Sequence, residues 1–138
     1  MTAVFIISRV LFALLFLLSA VGHLAKSAEM AQYAAYKGAP GGRAGVILSG
    51  LLLLVGALSV LFGIYGDVGA LLLAVVLLGI TVFMHRFWKE SDPQAKQSEQ
   101  INFNKNVALI GACLAFFLLF VNAAGTLGGT LTGPIIQI

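Results

Sequence analysis

The stretch that decides the fold is residues 44–64, AGVILSGLLLLVGALSVLFGI, which contains no charged side chain. An α-helix needs about 20 predominantly apolar residues to cross the hydrocarbon core of a bilayer, and this stretch is long enough. Three more apolar runs of similar length occupy residues 3–24, 68–87 and 106–122. The sequence therefore predicts an all-α integral membrane protein, with residues 1–138 forming a single bundle of four transmembrane helices.

The composition supports the same fold class. Of the 138 residues, 60% are hydrophobic and 9% are charged, whereas soluble domains carry about 25% charged residues. The three prolines, Pro40, Pro93 and Pro134, all lie outside the apolar runs, as expected because proline disrupts a helix interior. The net charge of +3 is small and dispersed, so we expect the lipid bilayer, and no nucleic acid, to be a partner.

The first apolar run has a second interpretation, a secretory signal peptide that is removed after export. Such a peptide begins with a positively charged segment and ends with small residues before the cleavage point. No Lys or Arg precedes the run, Arg9 lies inside it, and His23 occupies the place of a small residue. We therefore expect residues 3–24 to be kept as a transmembrane helix.

The basic residues predict the orientation. Seven of the eight lie in or next to the first and third loops, namely Lys26, Lys37, Arg43, Arg86, Lys89, Lys96 and Lys105. Basic loops stay cytoplasmic. We therefore expect loops one and three on the cytoplasmic side of the membrane, with both termini on the outer face.

Two segments outside the spans have open interpretations. The first loop has residues at the spacing of one helix face, namely Met30, Tyr33, Ala34 and Lys37. This loop forms either a short helix on the inner membrane surface or an ordinary solvated connection. The Gly- and Thr-rich tail, residues 123–138, is too short to span, and either lies on the outer interface or plugs the bundle.

Arg9 is the charged residue inside span one. A charge at membrane depth is costly and by default marks a functional site or a buried partner. The same helix face continues to Phe16 and His23, which favours an orientation into the bundle. The alternative is that the Arg9 guanidinium extends to the outer headgroups, and both interpretations stay open.

The predicted topology brings five polar residues to one depth at the cytoplasmic end, namely His23, His85, Arg86, Lys105 and Asn106. Histidine exchanges protons near neutral pH, and Arg, Lys and Asn can hold a carbonyl, carboxylate or phosphate. With Arg9, these residues are the candidate binding residues for the polar head of an amphiphilic ligand, whose tail would contact neighbouring Phe side chains. The alternative is that the basic residues are ordinary interface anchors.

Other cofactors have less support from the residues. His23 and His85 could ligate a haem, but nothing in the sequence fixes their separation. Neither a third histidine nor a cysteine–histidine cluster accompanies them, so we expect no metal site. The single cysteine, Cys113, is interpreted as a small packing residue, and the motifs of common soluble enzymes are absent.

The segments at the end of span three and the start of span four resemble those of the DoxX family of small four-helix bacterial membrane proteins. The matching stretches are His85-Arg86-Phe87-Trp88, Asp92-Pro93, and Phe103-Asn104-Lys105-Asn106-Val107-Ala108-Leu109-Ile110-Gly111. Many relatives carry a glutamate early in span two. Here residues 45–50 read GVILSG, so no role of that glutamate can be carried over.

The resemblance implies a membrane subunit associated with quinone-linked redox chemistry. We therefore expect a quinone or a similar amphiphile to bind within the helix bundle, and a protein partner or a second copy of the chain to complete an oxidoreductase. The chain is not expected to be catalytic alone, and no catalytic residue is assigned. The alternative is a non-catalytic accessory or assembly subunit of a larger membrane complex, for which a stripe of small residues in span two would provide a packing face.

Overall fold

The computed structural model describes residues 2–137, which form five α-helices and one 3-10 turn and contain no β-strand. Helix α1 spans Thr2–Ala25, α2 Ser27–Tyr36, α3 Gly42–Phe62, α4 Gly66–Met84 and α5 Pro93–Leu127; the 3-10 turn is Phe87–Lys89. Helices α1, α3, α4 and α5 are long and apolar enough to cross a membrane. The predicted all-α membrane architecture is thus confirmed.

The first loop contains a helix, α2, so the helical interpretation is confirmed for Met30, Tyr33 and Ala34, while Lys37 is the residue that follows its last turn. The chain turns out of α2 through Gly38, whose φ of 71° lies in the left-handed region that glycine adopts without a steric penalty. Helix α2 packs mainly against α3 and also contacts α1.

Helix α5 begins well before the apolar run at 106–122. Asp92 is the reason, because its Oδ2 accepts a hydrogen bond of 2.7 Å from the Ala95 backbone N–H, as a helix N-cap does, and Pro93 suits the first helical position. Helix α4 ends at Met84, three residues before the predicted end of span three at 87. Hydropathy locates the part of a helix that lipid can solvate and misses polar turns beyond it.

The long helices pack in the order α1–α3–α4–α5. Glycine allows the close approach of α3 to α4, since a Cβ on Gly56 would lie 2.8 Å from Leu73 Cγ. Helices α1 and α5 meet through phenylalanine rings, with centroids 4.6 Å apart for Phe12–Phe116 and 5.6 Å apart for Phe5–Phe120. Small residues and aromatic rings therefore share the packing, as expected where lipid gives helices little hydrophobic reason to associate.

The two ends of the bundle differ. We call the end with α2 and the α4–α5 connection the basic end, and the end with the α3–α4 turn and residues 128–137 the tail end. Residues of the tail cover the tail end: Leu131 and Thr132 donate backbone hydrogen bonds to the Gly63 carbonyl oxygen, both at 3.1 Å. Ile135 and Ile136 donate theirs to Asp67 Oδ2 at 2.9 and 2.8 Å. The tail is thus hydrogen-bonded to the end of the bundle, while the Leu131 and Ile135 side chains remain 71% and 58% exposed.

Candidate functional site

A cavity of about 510 Å³ lies at the basic end, between α1, α3, α4 and α5, with α2 beside it. This volume is within the range of small-molecule binding sites. Most of its wall is apolar, with contributions from Phe16, Leu53, Leu77, Phe83 and Leu109. Its shape and chemistry suit a ligand with an apolar body.

Four of the six candidate binding residues line this cavity, namely His23, His85, Lys105 and Asn106. They come from α1, from the residue that follows α4, and from α5. Polar groups from three segments that are distant in sequence therefore lie together in the wall of this cavity, which is otherwise largely apolar.

Arg86 does not line the cavity. Its Nη2 donates a hydrogen bond to the backbone oxygen of Lys37, which ties the end of α4 to the loop after α2. A Cβ on Gly38 would lie 3.2 Å from this Nη2, so the absence of a side chain at that position makes room for the guanidinium. The geometry gives Arg86 a structural contact to the first loop.

Arg9 lies away from the cavity and close to the tail. It is 3% exposed, its Nη2 donates a hydrogen bond of 2.6 Å to the Gly129 carbonyl oxygen, and its guanidinium carbon lies 4.8 Å from the centroid of the Phe5 ring. The side chain therefore faces the bundle interior and does not extend to the headgroups.

His23 is held by its own helix. Its Nδ1 lies 2.8 Å from the Ser19 carbonyl oxygen, and because that oxygen only accepts, Nδ1 carries the proton and donates. A Cβ on Gly50 would lie 2.7 Å from His23 Cβ. Gly50 therefore lets α3 approach α1 at the level of this histidine.

His85 is held by Glu99, which the sequence analysis did not identify. The two residues are joined by a contact of 2.7 Å between His85 Nδ1 and Glu99 Oε2. The other carboxylate oxygen of Glu99 accepts hydrogen bonds from Lys37 at 2.7 Å and from Tyr33 at 3.0 Å. Lys37 also pairs with Glu90 at 2.5 Å. We call these five residues the Glu99 network.

The protonation states within the Glu99 network follow from these contacts. Burial alone would lower the pKa of Lys37, but hydrogen bonds to Glu90 and Glu99 outweigh it and raise that pKa above its ordinary value. Burial, followed by the hydrogen bond to Glu99, raises the pKa of the Tyr33 phenol. At neutral pH Lys37 is therefore charged and Tyr33 neutral, and both act as donors to Glu99.

The predicted binding residues that line the cavity keep polar atoms available. Among residues 2–137, no hydrogen bond engages Nε2 of His23, Nε2 of His85 or the Asn106 amide. Within the same range, the fully buried side-chain polar atoms that lack a partner belong to Arg9 and Asp67. The free atoms of His23, His85 and Asn106 are therefore accessible, and each belongs to a residue that lines the cavity.

A sequence signal for Glu99 did exist. Glu99 and Asn106 are seven residues apart, a spacing that places two residues on one helix face. This spacing is informative only if residue 99 is helical, which requires α5 to begin near Pro93. The apolar run by itself predicts a helix that begins only at Asn106. The Asp92-Pro93 pair, a good helix start, could have supplied that extension.

Comparisons with known proteins agree with this architecture. A family model described as DoxX matches residues 4–86, a range that covers α1 to α4 and includes His23 and His85. Glu99, Lys105 and Asn106 of α5 lie outside the matched range. Comparisons with curated proteins and with solved structures gave no match.

Proposed function

The chain belongs to the DoxX family, and on that premise we propose that it is a bacterial inner-membrane subunit linked to quinone redox chemistry. In this proposal a quinone or similar amphiphile binds in the cavity at the basic end. Family membership supports a membrane protein associated with redox systems.

The observation that carries the proposal is the distribution of polarity in the cavity. Accessible polar atoms of His23, His85 and Asn106 lie within a wall that is otherwise largely apolar. A quinone has matching chemistry, since a small polar ring is joined to an apolar tail.

Each residue has a distinct role in the proposed site. Lys105 and Asn106 donate hydrogen bonds to a carbonyl oxygen of the quinone, which favours negative charge there when electrons arrive. His23 and His85 exchange protons with the ring oxygens through Nε2. Arg86, an alternative donor by sequence, is engaged with Lys37 and has no part in binding. The electrons come from a partner protein.

The proposed orientation places the basic end in the cytoplasm. Lys37, Arg86 and the carboxylates of Glu90 and Glu99 meet there through contacts between the first and third loops. Since loops rich in Lys and Arg stay cytoplasmic, both termini and the tail end lie on the outer side. The ligand head would then lie near the inner surface of the membrane.

The second candidate is an accessory subunit, and an aromatic cluster at the basic end favours it. Phe87, Trp88 and Phe103 pack edge to face, with ring centroids 5.2 to 5.8 Å apart, and Trp88 is 53% exposed. Aromatic residues are enriched at protein interfaces. In this role the cluster would bind a neighbouring subunit, and the cavity would hold no specific ligand.

One experiment separates the two candidates. The protein is purified in mild detergent, and co-purifying small molecules and proteins are identified by mass spectrometry. Stoichiometric quinone that is lost in His85→Ala and retained in Asn122→Ala, an exposed site near the tail end, supports the quinone site. A ligand-free wild-type protein with a stable protein partner contradicts it and supports the accessory role.

A further inference from the structure

We propose that the cavity prefers a hydroquinone head, with its two O–H groups, over the corresponding quinone head, with its two carbonyl oxygens. This inference rests on the proposed function, because it concerns which redox form of the ligand the site binds best. It is a statement about binding and includes no electron transfer. Its basis is the hydrogen-bonding state of the two imidazoles that line the cavity.

His23 presents an acceptor. Its Nδ1 donates to the Ser19 carbonyl oxygen at 2.8 Å, and that oxygen has no proton to give in return. Only one nitrogen of a neutral imidazole carries a proton. Nε2 of His23 is therefore a bare acceptor, and it has no partner among residues 2–137.

His85 presents an acceptor for the same reason, with Glu99 in the place of Ser19. Glu99 is ion-paired with Lys37 at 2.7 Å, and the same oxygen accepts the Tyr33 hydroxyl at 3.0 Å. As a carboxylate, Glu99 can only accept, so the contact of 2.7 Å requires the proton on His85 Nδ1. In the neutral imidazole, this carboxylate–histidine pair leaves His85 Nε2 as a second bare acceptor.

Two donors of the cavity lie on α5. Lys105 keeps protons beyond the one it shares with Asn102 Oδ1 at 3.2 Å, and Asn106 has its whole amide available. A hydroxyl group both donates and accepts, so a hydroquinone can donate to the imidazoles and accept from Lys105 or Asn106. Both kinds of polar group in the cavity are then satisfied.

A quinone can form hydrogen bonds with the donors of the cavity but not with the two imidazole acceptors. Its carbonyl oxygens accept from Lys105 and Asn106 but offer no proton to Nε2 of His23 or His85. Acceptors left unpaired on ligand binding lose their hydrogen bonds to water without replacement. A site built to hydrogen-bond a hydroxyl group therefore discriminates against an analogue that lacks it.

The test compares three probes of the same size on the full chain in phospholipid nanodiscs. They are decylhydroquinone, decylbenzoquinone and the dimethyl ether of decylhydroquinone, measured under nitrogen at pH 8. We expect the hydroquinone to bind about tenfold more tightly than the quinone and the ether, which corresponds to a difference of about 1.4 kcal/mol in binding free energy.

Two variants should move the preference in opposite directions. His85→Phe removes an acceptor while keeping a flat ring, and should reduce the preference for hydroquinone to about threefold or less. Lys105→Met removes a donor, and should weaken quinone binding more than hydroquinone binding. If His85→Phe does not fold, as judged by thermal unfolding, His23→Phe replaces it. Asn122→Ala is the control and should keep the wild-type preference.

The outcomes separate this inference from the proposed function. Quinone binding as tight as hydroquinone binding overturns the inference and leaves the quinone site in place. Equal binding of hydroquinone and its dimethyl ether also overturns it, because the ether keeps the shape and lacks the O–H groups. No measurable binding of any probe overturns both.

Discussion

Glu99 Oε2 lies 2.7 Å from Nδ1 of His85, although His85 follows the end of α4 and Glu99 lies in α5. This contact fixes both the orientation of the imidazole and the nitrogen that carries its proton. It connects the cavity with the Glu99 network, whose Lys37 and Tyr33 belong to the first loop and α2. The position of α2 and the chemistry of the cavity are therefore linked through one carboxylate.

Glu99→Gln tests this link. The neutral amide loses the ion pair with Lys37 and can donate to His85 Nδ1, which removes the constraint on the proton of the imidazole. We expect a loss of about 1–3 kcal/mol in the free energy of unfolding, the cost of breaking a buried charged hydrogen bond, together with weaker hydroquinone binding. Thermal unfolding and ligand titration measure the two effects. Glu29→Gln, an exposed residue of α2, should change neither.

Lys37→Met should destabilise the protein in a pH-dependent way. The pKa of Lys37 is raised in the folded state, so its contribution is fully present below the unfolded pKa of about 10.5 and is lost as pH rises through the folded value. We expect a constant stability difference from wild type between pH 7 and about 10, and a smaller one above it. Denaturation curves across this range check it. A difference that falls steadily from pH 7 upward would contradict the assignment, and Lys26→Met, at an exposed position, is the control.

Gly50→Ala should destabilise the contact between α3 and α1. The new Cβ would lie 2.7 Å from His23 Cβ, so the two helices must separate, at a cost of about 1–3 kcal/mol for overpacking. Gly22→Ala is a matched control, because its Cβ would meet nothing within 4 Å and alanine favours helix by about 1 kcal/mol. Thermal unfolding should therefore show a melting temperature below that of wild type for Gly50→Ala and above it for Gly22→Ala. Equal stability of both would contradict the described packing at His23.

Asp67→Ala should release the tail. Asp67 is fully buried, and its Oδ2 accepts the backbone N–H groups of Ile135 and Ile136. Alanine leaves both donors without this partner, so we expect cleavage within residues 128–137 by a non-specific protease to become markedly faster. Asp67→Asn keeps an acceptor oxygen and should show an intermediate rate. An unchanged cleavage rate in Asp67→Ala would contradict this attachment of the tail.

The sequence predicts the bundle well because lipid exposure leaves a strong signal in hydropathy. Residues 44–64 could be recognised as a span from their apolar side chains alone. The polar first turns of α5 carry no such signal, so Glu99 was missed although its contact holds His85. The destination of a long side chain is also invisible in sequence: Arg86 binds the first loop and Arg9 binds the tail, because tertiary neighbours decide both.

The most direct test of the central claim is to map where a quinone binds. The protein in nanodiscs is labelled with a photoreactive decylquinone, and the modified peptides are identified by mass spectrometry. The account predicts labelling of cavity residues on α4 and α5, such as Phe83, Met84 and Leu109, and its loss in excess unlabelled decylhydroquinone. Labelling confined to the apolar groove beside the α3–α4 turn, lined by Val55, Leu58 and Leu72, would contradict it.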